Sequence, residues 1–244
     1  MTRVFGVEVA DELKGIVREP AALFFSIMMP VGFFALFVSL FGSQPAGAVP
    51  AGTAMVATFG AYGVLAVTLM NPGIGVSRDR DRGWLRAKKV SPVPVGVTLA
   101  AKVTAALAYA VGLLVIMSIL AEFNGTLVAS VPQLLRVCVV LLLGALPFAL
   151  LSLAVGFQAR PNTTSAVLTA FLMASAVVSG LWMPLSILPP VFTVIAQFLP
   201  TYHLAQLALA QINGGAAMMH AVVLAGMTVI TAAFAAVSYR HAKS

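Results

Sequence analysis

Seven of the fourteen lysines and arginines fall between Arg78 and Lys102, and they open on a run of alternating charge: Arg78, Asp79, Arg80, Asp81, Arg82. Gly83, Trp84 and Leu85 follow, and Ser91-Pro92 with Pro94 ends the segment. A short charged stretch with one aromatic anchor suits insertion into a groove on a soluble protein. Contact with anionic lipid headgroups, worth about 1 kcal/mol per basic residue near the surface, is the plainer alternative. The two aspartates tip the balance toward docking, because a lipid patch does not need them.

Other chemistry is sparse. The sequence has no G-x-x-x-x-G-K-[ST] phosphate loop, no H-E-x-x-H and no G-x-S-x-G, so neither ATP binding nor a catalytic residue is expected in this chain. His203, His220 and His241 form no metal-ligand pattern with carboxylates, and no metal site is expected. His203 and His220 are placed near the outer interface. The apolar runs are nearly free of ionisable residues, whereas an ion-coupled carrier would more comfortably show a carboxylate near mid-membrane. Glu122, beside Asn124, is expected at the outer end of its run and in water. The single cysteine, Cys138, has no disulfide partner and reads as packing.

These residues must be positioned by elements of a particular kind. The chain is 61% hydrophobic and 9% charged, with a mean hydropathy of +1.03, against about 25% charged in a typical soluble domain. This composition specifies an integral membrane protein. The net charge of +7 sits at the ends of apolar runs, where topology places it, which argues against nucleic-acid binding. The fold class expected is an all-α polytopic membrane protein with six transmembrane helices, forming one transmembrane domain over 1–244. A span needs about 20 residues, and the spans are expected near 21–42, 53–76, 97–122, 132–157, 163–183 and 217–238. Pro184, Pro189, Pro190 and Pro200 break the stretch 184–211, which reads as an outer re-entrant segment of short helices. Such a segment survives in a membrane only where protein covers its freed backbone groups.

With both termini cytoplasmic, thirteen of the fourteen basic residues lie inside, Arg136 being the exception. Residues 77–96 then form a cytoplasmic loop. Residues 1–20 carry Phe5, Val9, Leu13, Ile16 and Val17 at spacings of three and four, an amphipathic helix expected along the cytoplasmic interface.

In this order the elements resemble the membrane subunit of an ABC-2 type exporter. Arg18-Glu19-Pro20-Ala21-Ala22-Leu23, Met29-Pro30 and Leu40-Phe41-Gly42 resemble the start and body of that family's first span. Asp79-Arg80-Asp81-Arg82-Gly83-Trp84 resembles its E-R-E-x-G-T run, with aspartates for glutamates and tryptophan for threonine. Ser179-Gly180-Leu181-Trp182-Met183-Pro184-Leu185, Leu188-Pro189 and Leu199-Pro200 resemble the end of its fifth span and the outer helices.

The resemblance implies a subunit that pairs with a second permease chain, as a homodimer or heterodimer, and with separate ABC ATPase (nucleotide-binding) subunits. ATP and magnesium would act on those partners, with no cofactor in this chain. It assigns coupling to the ATPase to Asp79, Arg80, Asp81, Arg82, Gly83, Trp84 and Leu85. The loop 159–164 is either a secondary contact or a connector. It places the substrate path along the first, second and fifth spans, including Thr58, Tyr62, Phe171 and Met173. The expected function is outward movement of a drug, lipid or lipid-linked molecule across a bacterial plasma membrane. An ATPase-independent carrier or channel is the alternative, and a membrane scaffold a third reading.

Overall fold

Apolar residues cover every face of the stretch Ala51–Asp81, as expected for a helix surrounded by protein rather than one lying on a surface. In the computed structural model, which describes residues 2–18, 24–83 and 94–242, this stretch is a 31-residue helix at the centre of the molecule. Its most apolar window is 78% buried, against 22% for the last long helix, Met218–Arg240. The difference identifies Ala51–Asp81 as the axis and Met218–Arg240 as a peripheral helix with most of its surface outward.

In chain order the elements are α1 (Thr2–Val17), a π-helical turn (Phe24–Met28) running into α2 (Met29–Phe41), a two-residue strand pair, and α3 (Ala51–Asp81). Then come α4 (Val95–Phe123), α5 (Val131–Gly144), α6 (Leu146–Gln158) and α7 (Pro161–Val178). A 3-10 turn at Leu185–Ile187, α8 (Pro190–Ala196), α9 (Pro200–Asn213) and α10 (Met218–Arg240) complete the fold. Helix α3 packs against α2, α4, α6, α7 and α9, and α10 packs against α6 and α9.

Five helical stretches are long and apolar enough to cross a membrane: α3, α4, α5 with α6 as one bent span, α7 and α10. The chain is therefore a multi-pass membrane protein. The expected span at 21–42 is present as a shorter apolar helix, Ser26–Phe41, and residues 19–23 lie outside the described residues. The bend between α5 and α6 falls at Ala145, two residues before Pro147, whose missing N–H interrupts the helical ladder.

Several boundaries differ from the sequence reading. Helix α3 does not stop near residue 76 but continues through Asp81, so the first part of the expected loop 77–96 is helix. It ends at Gly83, which adopts a positive φ of 77°, the left-handed conformation that stops a helix cheaply only at glycine. The expected fifth span, 163–183, begins at Pro161 and ends at Val178. The stretch 184–211 resolves into a 3-10 turn, α8 and most of α9, with Pro190 and Pro200 at helix starts, where a missing N–H costs nothing. The all-α expectation is modified by one antiparallel ladder, Pro45 opposite Pro50 and Ala46 opposite Val49.

Candidate functional site

The close approach of α3 and α6 creates the site. A Cβ added at Gly73 would lie 2.7 Å from the Ser152 carbonyl oxygen, and one at Gly156 would overlap the Gly73 carbonyl. Two glycines thus let backbone meet backbone, as small residues do at membrane helix crossings. Immediately before Gly73, Pro72 interrupts the α3 ladder and deprives the Thr68 carbonyl, one turn back, of its helical donor. Ser152 Oγ lies 3.3 Å from Thr68 O, and its one proton is shared between that oxygen and the nearer Ala149 O at 3.0 Å.

Toward its C-terminal end α3 becomes charged, and the alternating residues divide by direction. Asp79 turns inward, its carboxylate 2.8 Å from Lys102 Nζ of α4. The same Nζ donates to Glu12 of α1 at 2.7 Å. Lys102 is only 6% exposed, so its charge is held by two carboxylates from two other helices. Tyr109 of α4 adds a second tie to α1, its hydroxyl donating to Leu13 O at 2.9 Å.

Arg80 also turns inward. Its guanidinium donates to Phe157 O at 2.5 Å and Ala159 O at 3.0 Å, the carbonyls at the end of α6 that lack helical donors. A cation there also complements the helix dipole. Ser77 Oγ donates to the same Ala159 oxygen at 2.6 Å, and Thr164 Oγ1 does so at 3.2 Å. The loop after α6 is therefore tied to the end of α3 through Ala159. Asp81 and Arg82 are the exposed members of the run, although Asp81 also accepts from Arg80 at 3.1 Å. Trp84, Leu85 and the Ser91-Pro92 motif lie outside the described residues.

A cavity of about 970 Å³ opens at this charged end and runs along α3. Arg18, Arg78 and Arg82 line it together with Asp11, Glu12, Asp79 and Lys102. Deeper along α3 its wall is Ile74, Met70, Ala66 and Tyr62, faced by Leu172 and Met173 of α7. Asn71 also lines it, and its buried Nδ2 has no hydrogen-bond partner among the described residues. At the deep end Tyr62 meets Trp182 edge-on, ring centroids 5.1 Å apart, and Trp182 in turn meets Phe33 at 5.6 Å.

Of the four residues expected along a substrate path, the cavity joins Tyr62 and Met173. Thr58 and Phe171 are half-buried on the same helices but outside the cavity wall. Helix α1 also behaves differently from a helix lying only on lipid. Phe5, Val9 and Leu13 are half-buried with Glu8 and Glu12, and α1 packs on α4; Val17 stays exposed. Lys102 was hidden from sequence reasoning among the basic residues that topology explains. Its signal was its position eight residues into an apolar helix, where an unpaired ammonium would be costly.

At the opposite end of α3 the contacts are uncharged. Thr53 Oγ1 donates to Thr126 O at 2.6 Å and accepts from the Val128 N–H at 3.0 Å. Beyond it, Ser179 and Thr201 share a hydroxyl hydrogen bond at 2.5 Å. His203 Nε2 lies 2.9 Å from Gln197 O, which requires an N–H there, and His203 Nδ1 shares a hydrogen bond with His220 Nδ1 at 2.8 Å. Among the described residues no three His, Cys, Asp or Glu side chains gather as metal ligands. Glu122 and Arg136 are exposed.

The family model for ABC-2 type transporters matches residues 3–213. Over 208 residues the chain is also 24% identical to a protein of Bacillus subtilis (strain 168) named "Putative transport permease YvfS", an alignment covering 84% of this chain and 83% of that one. A central helix running from a membrane cavity to an exposed charged tip accords with a transport role. The chain belongs to the ABC-2 type transporter family, as the membrane subunit of a transporter.

Proposed function

We propose that this chain is the permease of an ATP-binding cassette exporter, moving a hydrophobic or amphipathic compound out across the plasma membrane. In this reading a separate ABC ATPase binds ATP and magnesium, and a second permease chain, identical or homologous, completes the transmembrane part. The charged end of α3 and both chain termini are cytoplasmic, in keeping with the distribution of basic residues. The proline-interrupted stretch 184–211 lies at the outer side, where α9 is covered by α3, α5 and α10.

One observation carries the proposal. A single helix, α3, supplies both the exposed Asp81 and Arg82 and the cavity wall from Arg78 to Tyr62. A partner that pushes on Asp81, Arg82 and Gly83 therefore displaces the wall of the cavity. Asp79 and Arg80 serve a different part of this coupling. Their inward bonds to Lys102, Phe157 and Ala159 pass the load to α1, α4 and the end of α6. Trp84 and Leu85 are proposed to continue the contact with the ATPase.

The test is reconstitution of the chain with a co-expressed ATPase in proteoliposomes. Exchanging the exposed charges (Asp81→Arg with Arg82→Glu) is expected to lower ATP-driven flux at least tenfold with the melting temperature unchanged. Intact coupled flux in that variant, or no ATPase that binds the chain, overturns the coupling assignment. Flux driven by an ion gradient alone, without nucleotide or partner, would instead assign a carrier.

A further inference from the structure

Helices α9 and α10 are joined by a pair of imidazoles. His203, near the start of α9, is 7% exposed, and His220 is the third residue of α10, half-buried close to the exposed stretch 213–216. Their Nδ1 atoms lie 2.8 Å apart, with ring centroids at 5.1 Å. Among the described residues this is the one side-chain hydrogen bond between the two helices. On its other side His203 Nε2 donates to Gln197 O at 2.9 Å, just past the end of α8. One ring thus fastens the end of α8 and the start of α9 to α10.

The bond works only with certain proton counts. Gln197 O can only accept, so His203 Nε2 keeps its N–H. Between the two Nδ1 atoms there is room for one proton. The neutral pair meets this condition, and so does the pair with one extra proton, whichever ring carries the charge. A second extra proton gives both Nδ1 atoms an N–H. Two N–H groups cannot face each other at 2.8 Å, and two like charges that close repel strongly.

Among the described residues, no element packed on the pair brings a carboxylate to offset the second charge. Helix α9 packs on α3, α5 and α10, α10 packs also on α5 and α6, and α8 packs on α7. Helices α6, α7 and α8 contain no titratable residue. Helix α5 brings Arg136, an exposed cation, and Cys138. On α3, Tyr62 is neutral and the charged residues begin only at Arg78. On α10, Tyr239 and Arg240 stand at the far end. Tyr202 of α9 presents its ring to both imidazoles, with centroids 5.6 and 6.1 Å away.

We propose that His203 and His220 form an acid-released clamp, which holds the stretch α8–α9 to α10 until both imidazoles are charged. The parted rings can take up two extra protons and the joined pair one, so falling pH favours the parted state. Release therefore belongs below a pH of about 6.5, where an ordinary histidine charges. That the acid comes from outside the cell rests on the proposed topology; the clamp itself does not.

The test uses the full chain in nanodiscs without nucleotide or ATPase, where both faces meet the same buffer, compared with His220→Asn. Asparagine puts an amide where the imidazole Nδ1 stood, able to donate to neutral His203 or to accept from its charged form. The variant therefore stays fastened in acid. Amide exchange over 197–213 is read at pH 7.5 and 4.5 as the ratio of parent to variant. In that ratio the intrinsic pH dependence of exchange cancels, as does the titration of carboxylates common to both. It should lie within twofold of one at pH 7.5 and rise at least fivefold at pH 4.5. A ratio that does not change with pH overturns the proposal.

A second measurement needs no substitution. With nitrogen-15 in the histidines, a nitrogen–nitrogen coupling across the Nδ1–H···Nδ1 bond should be present at pH 7.5 and lost at pH 4.5. His241 Nδ1 donates to Val237 O at 2.9 Å, so that coupling belongs to the His203–His220 pair alone. Its absence at pH 7.5, or its persistence at pH 4.5, overturns the clamp. Neither readout involves transport, so the clamp can fail while the exporter reading stands, and the reverse.

Discussion

The two ends of α3 are fastened by different chemistry. Near Ala51 a neutral hydroxyl, Thr53, holds the loop after α4 through Thr126 and Val128. Near Asp81 ionised groups do the holding: Lys102 joins α3 to α1, and Arg80 joins it to the end of α6. A neutral hydrogen bond contributes about 1 kcal/mol net, and one to a charged group about 1.5–3. The contrast is greater when a bond is broken, because a buried charge left alone is far more costly than a lone hydroxyl. The charged end is therefore tied by ion pairs and charged hydrogen bonds to α1, α4 and α6, whereas the other end is held by neutral hydrogen bonds alone. Under the proposed coupling, load would enter at the charged end and be released as motion elsewhere, and the asymmetry suits that reading.

The largest disruption expected is at the crossing that brings the charged end together. Gly156→Val places a side chain into the Gly73 carbonyl, a backbone atom that cannot step aside. Overpacking typically costs about 1–3 kcal/mol, and more where backbone must move. Loss of the monodisperse peak in size-exclusion chromatography is the expected result. A well-folded Gly156→Val protein would mean that α3 and α6 do not approach this closely.

Lys102→Met comes next. It keeps much of the side-chain volume but leaves Glu12 and Asp79 facing each other without their cation. Removing one partner of a buried pair costs about 3–5 kcal/mol, and the partial exposure of both carboxylates lowers this to about 2–3. Adding Glu12→Gln and Asp79→Asn should recover most of the loss in melting temperature. Recovery is the discriminating result: lost packing would not be restored by neutralising the carboxylates. Arg80→Ala is smaller, about 1–2 kcal/mol, because it frees neutral carbonyls in a part-buried site rather than an uncompensated charge. It should raise amide exchange at the start of α7, where Thr164 shares the Ala159 oxygen.

The sequence made the apolar elements legible because lipid demands long apolar helices, and α4, the bent α5–α6 span and α10 fall within a few residues of their expected positions. It also marked the charged run as special. It did not separate the run into inward and outward halves, because that depends on where α4 and α6 stand beside α3. Lys102 shows the reason most clearly. As a residue near the end of an apolar run it looked topogenic, and only the packing of α1 on α4 brings Glu12 to it. The helical continuation of α3 to Asp81 was equally hidden, since charge ends an apolar window without ending a helix. Of the four residues expected along a path, Tyr62 and Met173 line the cavity and Thr58 and Phe171 do not, and Asn71 became visible only with the cavity.

The smallest effect is expected at the neutral end, and it completes the comparison. Thr53→Val preserves shape, removes the hydroxyl, and leaves the Thr126 carbonyl and Val128 N–H without that partner. Val128 is exposed whereas Thr126 is buried, so the cost should be at the low end of about 1–3 kcal/mol, seen as a small drop in melting temperature. ATP-driven flux should stay within twofold of the parent, since no load enters there. Were Thr53→Val to match Lys102→Met in both readouts, the ends of α3 would be equivalent. Stiffness at the charged end would then have no special part in transport.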